Sequence, residues 1–217
     1  MLGVTVIFDL DGVLVDSRAV FLSCMRYAFV KLGLPDRSDE ELLPAIGPPF
    51  AHAFAELLDE PPDAPVVTAC IDAYRERYVT ASLTETTVPP GIPDVLNELG
   101  GHRLAVATSK PKALADPLLE AMGLAHHFAV VAGPDLDHRA EPKTETLARA
   151  LDTLNTTNAV MVGDRKFDIE AARAHGLRAI GVTWGIGTRA ELRSAGADRV
   201  IDAPSELHDA ATVLLDH

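Results

Sequence analysis

Six short apolar runs, each closed by a polar or glycine-bearing turn, constrain this chain more than any other feature. They are Val4–Phe8, Leu104–Ala107, Val130–Ala132, Ala159–Val162, Ala179–Val182 and a weaker one at Arg199–Ile201. Runs this short and continuously apolar suit parallel strands whose two faces are both covered by helices. Helical patterns fall between them, at Asp94–Leu99, the Leu114–Met122 region, Thr144–Leu154 and Ile169–His175. Gly100, Gly123 and Gly176 follow three of these, as helix C-termini favour. Strands alternating with helices predict an α/β fold with a doubly wound parallel-sheet core. Pro117 lies inside one helical pattern, so a helix start there is expected, with Asp116 as N-cap and Pro117 in the first turn.

The alternation stops between residues 16 and 84, where no strand pattern occurs. Val20–Leu32 carries Phe21, Cys24, Ala28 and Leu32 on one helical face. Ser38 and Glu41 have the spacing of a capping box, and Ala51–Leu58 and Val67–Val79 complete about four helices. The expected organisation is a core of 1–15 and 85–217 with an inserted α-helical domain over 16–84. Pro89, Pro90 and Gly91 mark the return to the core.

Composition limits the function classes. The 217 residues are 47% hydrophobic with a formal charge of −13, which argues against nucleic acid or an anionic membrane surface as a partner. Any anion site must therefore rest on locally concentrated cations. The two cysteines, Cys24 and Cys70, have no metal-site spacing and suit a reducing cytoplasm. The opening MLGVTVIFDLDG lacks a basic leader, and no run of 18 apolar residues exists, so no spanning helix is expected.

Four polar groupings sit just past the C-terminal ends of expected strands, where open α/β sheets bind ligands. The first, FDLDGVLVDS, places Asp9 and Asp11 two apart. Carboxylates that close repel unless a metal or proton intervenes, and Mg²⁺ suits a site with few protein oxygens. Gly12 permits close backbone approach to an oxyanion. An Asx-type turn accounts for the pair equally well. The second grouping is Thr108 and Ser109 with Lys110, donors suited to phosphate oxygens or an ordinary turn. The third is Lys143 at a helix start, where a cation opposes the helix dipole; it is either a solvated lysine or one with another use. The fourth, VGDRKFD, holds Asp164 and Asp168, of which helix capping explains only one. A chance origin does not account for all four in this order.

In these residues the chain resembles a haloacid-dehalogenase-superfamily phosphatase, closest to the phosphoglycolate-phosphatase-like branch with a helical cap. DLDGVLVDS, PPGIPDVLNEL, VATSKP, Lys143, VGDRKFDIEAARAHG and GVTWGIG occur in that family's order. The resemblance implies a Rossmann-like core with strand one between the strands that end at Thr108 and Asp164. It implies that Asp9 attacks phosphorus to give an aspartyl phosphate, and that Asp11 moves the proton. It further implies Mg²⁺ held by Asp9, the Asp11 carbonyl and Asp164, with Asp168 in support through water, and phosphoryl oxygens bound by Thr108 and Lys143. Asp11 must carry a proton when substrate arrives, which partial burial and a neighbouring anion would favour.

Asp11 disfavours the dehalogenase and phosphonatase branches, which need no acid there. One departure from the family pattern is that Pro142 precedes Lys143 instead of a proline following it. The implied substrate is a small phosphorylated metabolite. Phosphoglycolate or a similar ester leads; a nucleoside 5′-monophosphate, pyrophosphate or a sugar-phosphomutase reaction are the alternatives. A phospho-aspartate receiver fails on strand order, and a non-catalytic phospho-ligand-binding protein would be expected to lack Asp9 or Asp11. The expected state is a monomer or homodimer. Lys110 either reaches a second anionic group of the substrate or is a solvated turn lysine. Arg165 and Lys166 either add positive potential or lie on a helix surface, Asp16 and Ser17 form a hinge, and Ile46, Gly47 and Pro48 either face the site or simply turn. Trp184 packs, His126 and His127 lie at the surface, and His138 has no partner suggested by the sequence.

Overall fold

Val6 and Phe8 face one side of a sheet and Ile7 the other, and all three are fully buried. They belong to β1 (Thr5–Phe8) in a computed structural model that describes residues 5–46, 50–136 and 141–215. The same alternation runs through β2 (Arg103–Ala107), β4 (Ala159–Gly163) and β5 (Arg178–Val182). With β3 (Val130–Ala132) and β6 (Arg199–Ile201) these form a sheet in the order β3-β2-β1-β4-β5-β6, every pairing parallel. Chain direction across the sheet reverses at β1, so its C-terminal end lies at a topological switch point. β1 pairs with β2 on one side and β4 on the other, which brings Asp9, Thr108 and Asp164 to the same end of three adjacent strands.

The chain divides into two compact units, Met1–Asp16 with Thr87–His217, and Ser17–Thr86. The second is helical: α1 (Arg18–Lys31), α2 (Asp39–Leu42), α3 (Phe50–Leu58) and α4 (Pro65–Thr84). Its own core contains Phe21, Cys24, Met25, Phe29, Phe54, Cys70 and Tyr74. Ser38 and Glu41 form the expected capping box, with Glu41 N–H donating to Ser38 Oγ at 3.4 Å and Ser38 N–H to Glu41 Oε2 at 2.8 Å. Leu32 departs from expectation: it caps the C-terminus of α1 and is 37% exposed, outside the buried stripe.

In the first unit, α5 (Ile92–Glu98), α6 (Lys112–Ala121) and α10 (Leu207–Leu215) cover one sheet face with Ile92, Leu96, Ala115, Leu118, Leu119 and Leu207. The other face is covered by α7 (Lys143–Leu154), α8 (Lys166–Ala174) and α9 (Arg189–Ala195), through Leu147, Ala150, Ile169, Ala172 and Leu192. Each fully buried Leu or Ile contributes about 1.5–3 kcal/mol. That scale explains a correction at Pro117, which does not open a helix but lies inside α6. Ala115, Leu118 and Leu119 are fully buried on one helix face, so ending the helix at Asp116 would forfeit packing worth more than the one backbone hydrogen bond that proline removes.

Candidate active site

The turn after β1 is fixed by its own backbone. Asp9 N–H donates to Val162 O at 2.9 Å, Leu14 and Val15 both donate to Leu10 O, and Gly12 N–H donates to Val15 O at 2.8 Å. Leu10, Val13, Leu14 and Val15 are fully buried, and Trp184 Nε1 donates to Val13 O at 3.0 Å. Trp184 thus packs as expected and also anchors this turn. Gly12 has φ +86°, and a Cβ there would overlap the Asp164 carboxylate. Only glycine satisfies both conditions without strain.

Asp9 lies at the centre of an ion cluster. Lys143 Nζ donates to Asp9 Oδ1 at 2.6 Å and sits 2.8 Å from Asp168 Oδ1. Lys143 is the first residue of α7 and its side chain is only 6% exposed, so the cation that opposes the helix dipole is held by two carboxylates. Burial works against its charge, but Asp168 and Asp9 outweigh this and raise its pKa. The first turn of α7 is braced by Glu141, which accepts from Thr146 Oγ1 at 2.6 Å and pairs with Arg149. Asp168 also accepts from Arg165 N–H at 3.1 Å, so the capping role read from sequence falls on Asp168.

Asp164 is 1% exposed. Its Oδ2 accepts from Ile186 N–H at 2.7 Å, while Oδ1 is buried without a hydrogen-bond partner among the described residues. Burial, then Asp9 and Asp168, push its pKa up to about 8. Asp9 is raised to about 6, chiefly by burial; Lys143 opposes the shift, and Asp168 and Asp11 add to it. One oxygen from each of Asp9, Asp164 and Asp168 lies within 4.8 Å of the others. Three hard oxygens this close, one of them buried and unpaired, fit a small divalent cation such as Mg²⁺. Asp11 is not among these side chains, so a role for it at a metal would rest on its backbone carbonyl, as the resemblance implies.

The third wall follows β2. Thr108 is 1% exposed and its Oγ1 accepts from Lys110 N–H at 3.1 Å, whereas Ser109 is exposed. Lys110 Nζ donates to Asp11 Oδ1 at 2.9 Å, with the lysine side chain 7% and the aspartate 29% exposed. Lys110 is therefore no solvated turn lysine, and Asp11 has a cation beside it in addition to the neighbouring Asp9 carboxylate. Arg165 Nε donates to Glu191 at 3.0 Å and the backbone N–H of Lys166 donates to the same carboxylate at 2.9 Å, while the Lys166 ammonium lies 5.3 Å from the centre of the Phe167 ring.

The structure brings Asp9, Gly12, Lys143, Asp164 and Asp168 into one cluster, and Asp11 into contact with Lys110. Ile186 was missed by sequence reasoning; its signal was the glycine pair Gly185 and Gly187, both packed against Asp164. Gly47, Pro48 and His138 lie outside the described residues.

The haloacid dehalogenase-like hydrolase family matches residues 6–182. A probable phosphatase, IndB, of Dickeya dadantii is 38% identical over 216 residues, 97% of this chain and 94% of that protein. A 5′-nucleotidase of Pseudomonas aeruginosa is 34% identical over 193 residues, 87% of this chain and 86% of its own. The crystal structure of a predicted phosphatase from Clostridium acetobutylicum superposes with a TM-score of 0.86 at 33% identity, covering 99% of this chain and 100% of the other.

Proposed function

The chain belongs to the haloacid dehalogenase-like hydrolase family and is one of its phosphatases, and from this premise we propose that it hydrolyses a small phosphate monoester with Mg²⁺ through an aspartyl phosphate on Asp9. The observation that carries the reading is the buried, unpaired Oδ1 of Asp164 beside Asp9 and Asp168. A bound Mg²⁺ would offset the repulsion between the Asp9 carboxylate and a phosphate dianion. Asp9, Asp164 and the Asp11 carbonyl would hold it, with Asp168 in support.

The remaining chemistry falls to this chain's own groups. Asp9 donates an electron pair to phosphorus while the bond to the leaving oxygen breaks, and that oxygen takes a proton from Asp11. Asp11 then takes a proton from water as the water attacks phosphorus, which releases phosphate and restores Asp9. Lys143 and Thr108 are assigned to phosphoryl oxygens, Gly12 lets the backbone approach them, and Ser109 adds a hydroxyl donor. Lys143 also keeps Asp9 paired with a cation before substrate arrives.

The substrate is a small phosphorylated metabolite in the cytoplasm. Phosphoglycolate or a similar ester leads, and a nucleoside 5′-monophosphate is the second reading, favoured by the 5′-nucleotidase relative. All the acidic and phosphate-binding candidates lie outside Ser17–Thr86, so substrate choice is assigned to that helical unit acting as a cap. The test is phosphate release from a panel of phosphate esters by metal-stripped protein, with and without Mg²⁺. Full activity in excess chelator, or none on any ester with Mg²⁺, overturns the reading.

A further inference from the structure

Lys110 is a lysine with a nearly buried side chain that the reaction outlined above does not use. It sits on a rigid segment. Thr108 N–H donates to Ala132 O at 2.9 Å, Lys110 N–H to Thr108 Oγ1 at 3.1 Å, and Lys112 N–H to Pro134 O at 3.0 Å. Gly133 packs so closely that a Cβ there would meet the Lys110 carbonyl at 2.5 Å. The Asp11 backbone is equally fixed by the turn that hangs from Leu10 O. Between these two anchored segments, 99 residues apart in sequence, the ammonium and the carboxylate meet at 2.9 Å.

We propose that Lys110 is a positioning residue for the reaction, holding the Asp11 side chain where a departing oxygen meets its proton. The inference rests on the assignment of Asp9 as nucleophile and Asp11 as proton carrier. A carboxylate 29% exposed on a fixed backbone still has rotamers to choose from. A hydrogen bond from the ammonium of a lysine that is itself 7% exposed, donated to Asp11 Oδ1, removes that choice whether or not the carboxyl carries its proton on the other oxygen, Oδ2, because withdrawing the ammonium from its partner within the protein is costly. Proton transfer tolerates little misplacement of the donor. As the phosphorus–oxygen bond breaks, its electron pair stays on the leaving oxygen, the Asp11 proton moves to that oxygen, and Asp11 is left a carboxylate facing Lys110. The ammonium thus also faces the charge that develops on Asp11.

This role predicts a dependence on the leaving group that a structural lysine would not produce. Two aryl phosphates of similar size separate the cases: 4-nitrophenyl phosphate, whose leaving group needs little proton assistance, and 4-methoxyphenyl phosphate, whose leaving group needs more. The parameter is kcat/KM with Mg²⁺, which reports the first chemical step. Lys110→Met is expected to lose about tenfold more on the methoxy than on the nitro ester, a fraction of the range typical of acid–base catalysis. Lys110→Arg should recover most of the difference, and Lys110→Met added to Asp11→Asn should not change the ratio further. Because the ratio is taken within one preparation, a partly unfolded variant does not distort it. An equal loss on both esters, or a ratio change that persists undiminished in the Asp11→Asn background, overturns the role of Lys110. Wild-type turnover by Asp9→Asn is a separate outcome that removes the underlying reading and the inference with it.

Discussion

Lys143 Nζ lies 2.6 Å from Asp9 Oδ1, although the two residues are 134 positions apart. The same ammonium reaches Asp168, so one buried cation holds two carboxylates of the acidic cluster. Removing it as Lys143→Met leaves both without their shared partner. Loss of one member of a buried pair costs about 3–5 kcal/mol, and loss of a preorganised donor to a reacting phosphate lowers kcat by about 10²–10³. Thermal melts should show a large destabilisation near neutral pH, and phosphate release should fall on every ester tested. A variant with wild-type melting and turnover would contradict both effects.

Asp9 and Asp11 differ in what they must do, so their amide variants should fail differently. Asp9→Asn replaces a nucleophilic carboxylate with a poor nucleophile and should abolish turnover. Asp11→Asn keeps the nucleophile but moves no proton, so formation and hydrolysis of the phosphoenzyme should both slow by about 10²–10⁴. Rapid quench with labelled substrate is expected to place label on Asp9 in the wild type. Label on another residue would refute the assignment.

The sheet was readable because parallel strands buried on both faces leave unbroken apolar runs. Arg103 and Arg178 lie outside those runs because their side chains are polar, yet their backbones extend the ladder. Lys112 and Lys166 opened α6 and α8 earlier than the apolar periodicity showed, for the same reason. Asp9, Asp11, Asp164 and Asp168 stood out as short-range patterns at strand ends. The partners of Lys110 and Lys143 were not readable, because those pairs join segments 99 and 134 residues apart and depend on which strands become neighbours. At Pro117 local propensity favours a helix start, but it carries no information about the sheet face that α6 must cover.

Gly12 separates backbone strain from charge effects. Its φ of +86° disfavours any side chain by about 1–2 kcal/mol, and an added Cβ would also press on Asp164. Gly12→Ala should therefore lower stability and weaken Mg²⁺-induced stabilisation, because the carboxylate that gives way is a candidate ligand. Gly123 also has positive φ, at +71°, but a methyl group added there would meet nothing within 4 Å. Gly123→Ala is thus the control: it should cost similar backbone strain and leave the Mg²⁺ response intact. Equal Mg²⁺ responses in the two variants would show that Gly12 does not act through Asp164.

The raised carboxyls give the metal-free protein a distinctive pH dependence. Asp9 and Asp164 ordinarily titrate near 3.8 but are raised to about 6 and about 8 in the fold. A carboxyl that holds its proton more tightly when folded stabilises the protein fully below its unfolded value. That contribution is lost as pH rises through the folded value. Metal-free protein should therefore lose stability between about pH 4 and pH 8, the upper part of the window belonging to Asp164. Mg²⁺ requires the deprotonated oxygens, so protons compete with it, and the rise in Tm on adding Mg²⁺ should grow from about pH 5.5 to about pH 8.5. Asp164→Asn removes the group that is costly to ionise, so its metal-free Tm should fall less over the upper half of the window. The same variant should lose most of the Mg²⁺ response. Comparing it with the wild type cancels titration common to both chains, which carry many other acidic groups. Melting curves of chelator-treated protein across this range, with and without Mg²⁺, decide the matter. A Mg²⁺-induced shift independent of pH, or an Asp164→Asn variant that keeps the full shift, would mean that the cation binds elsewhere.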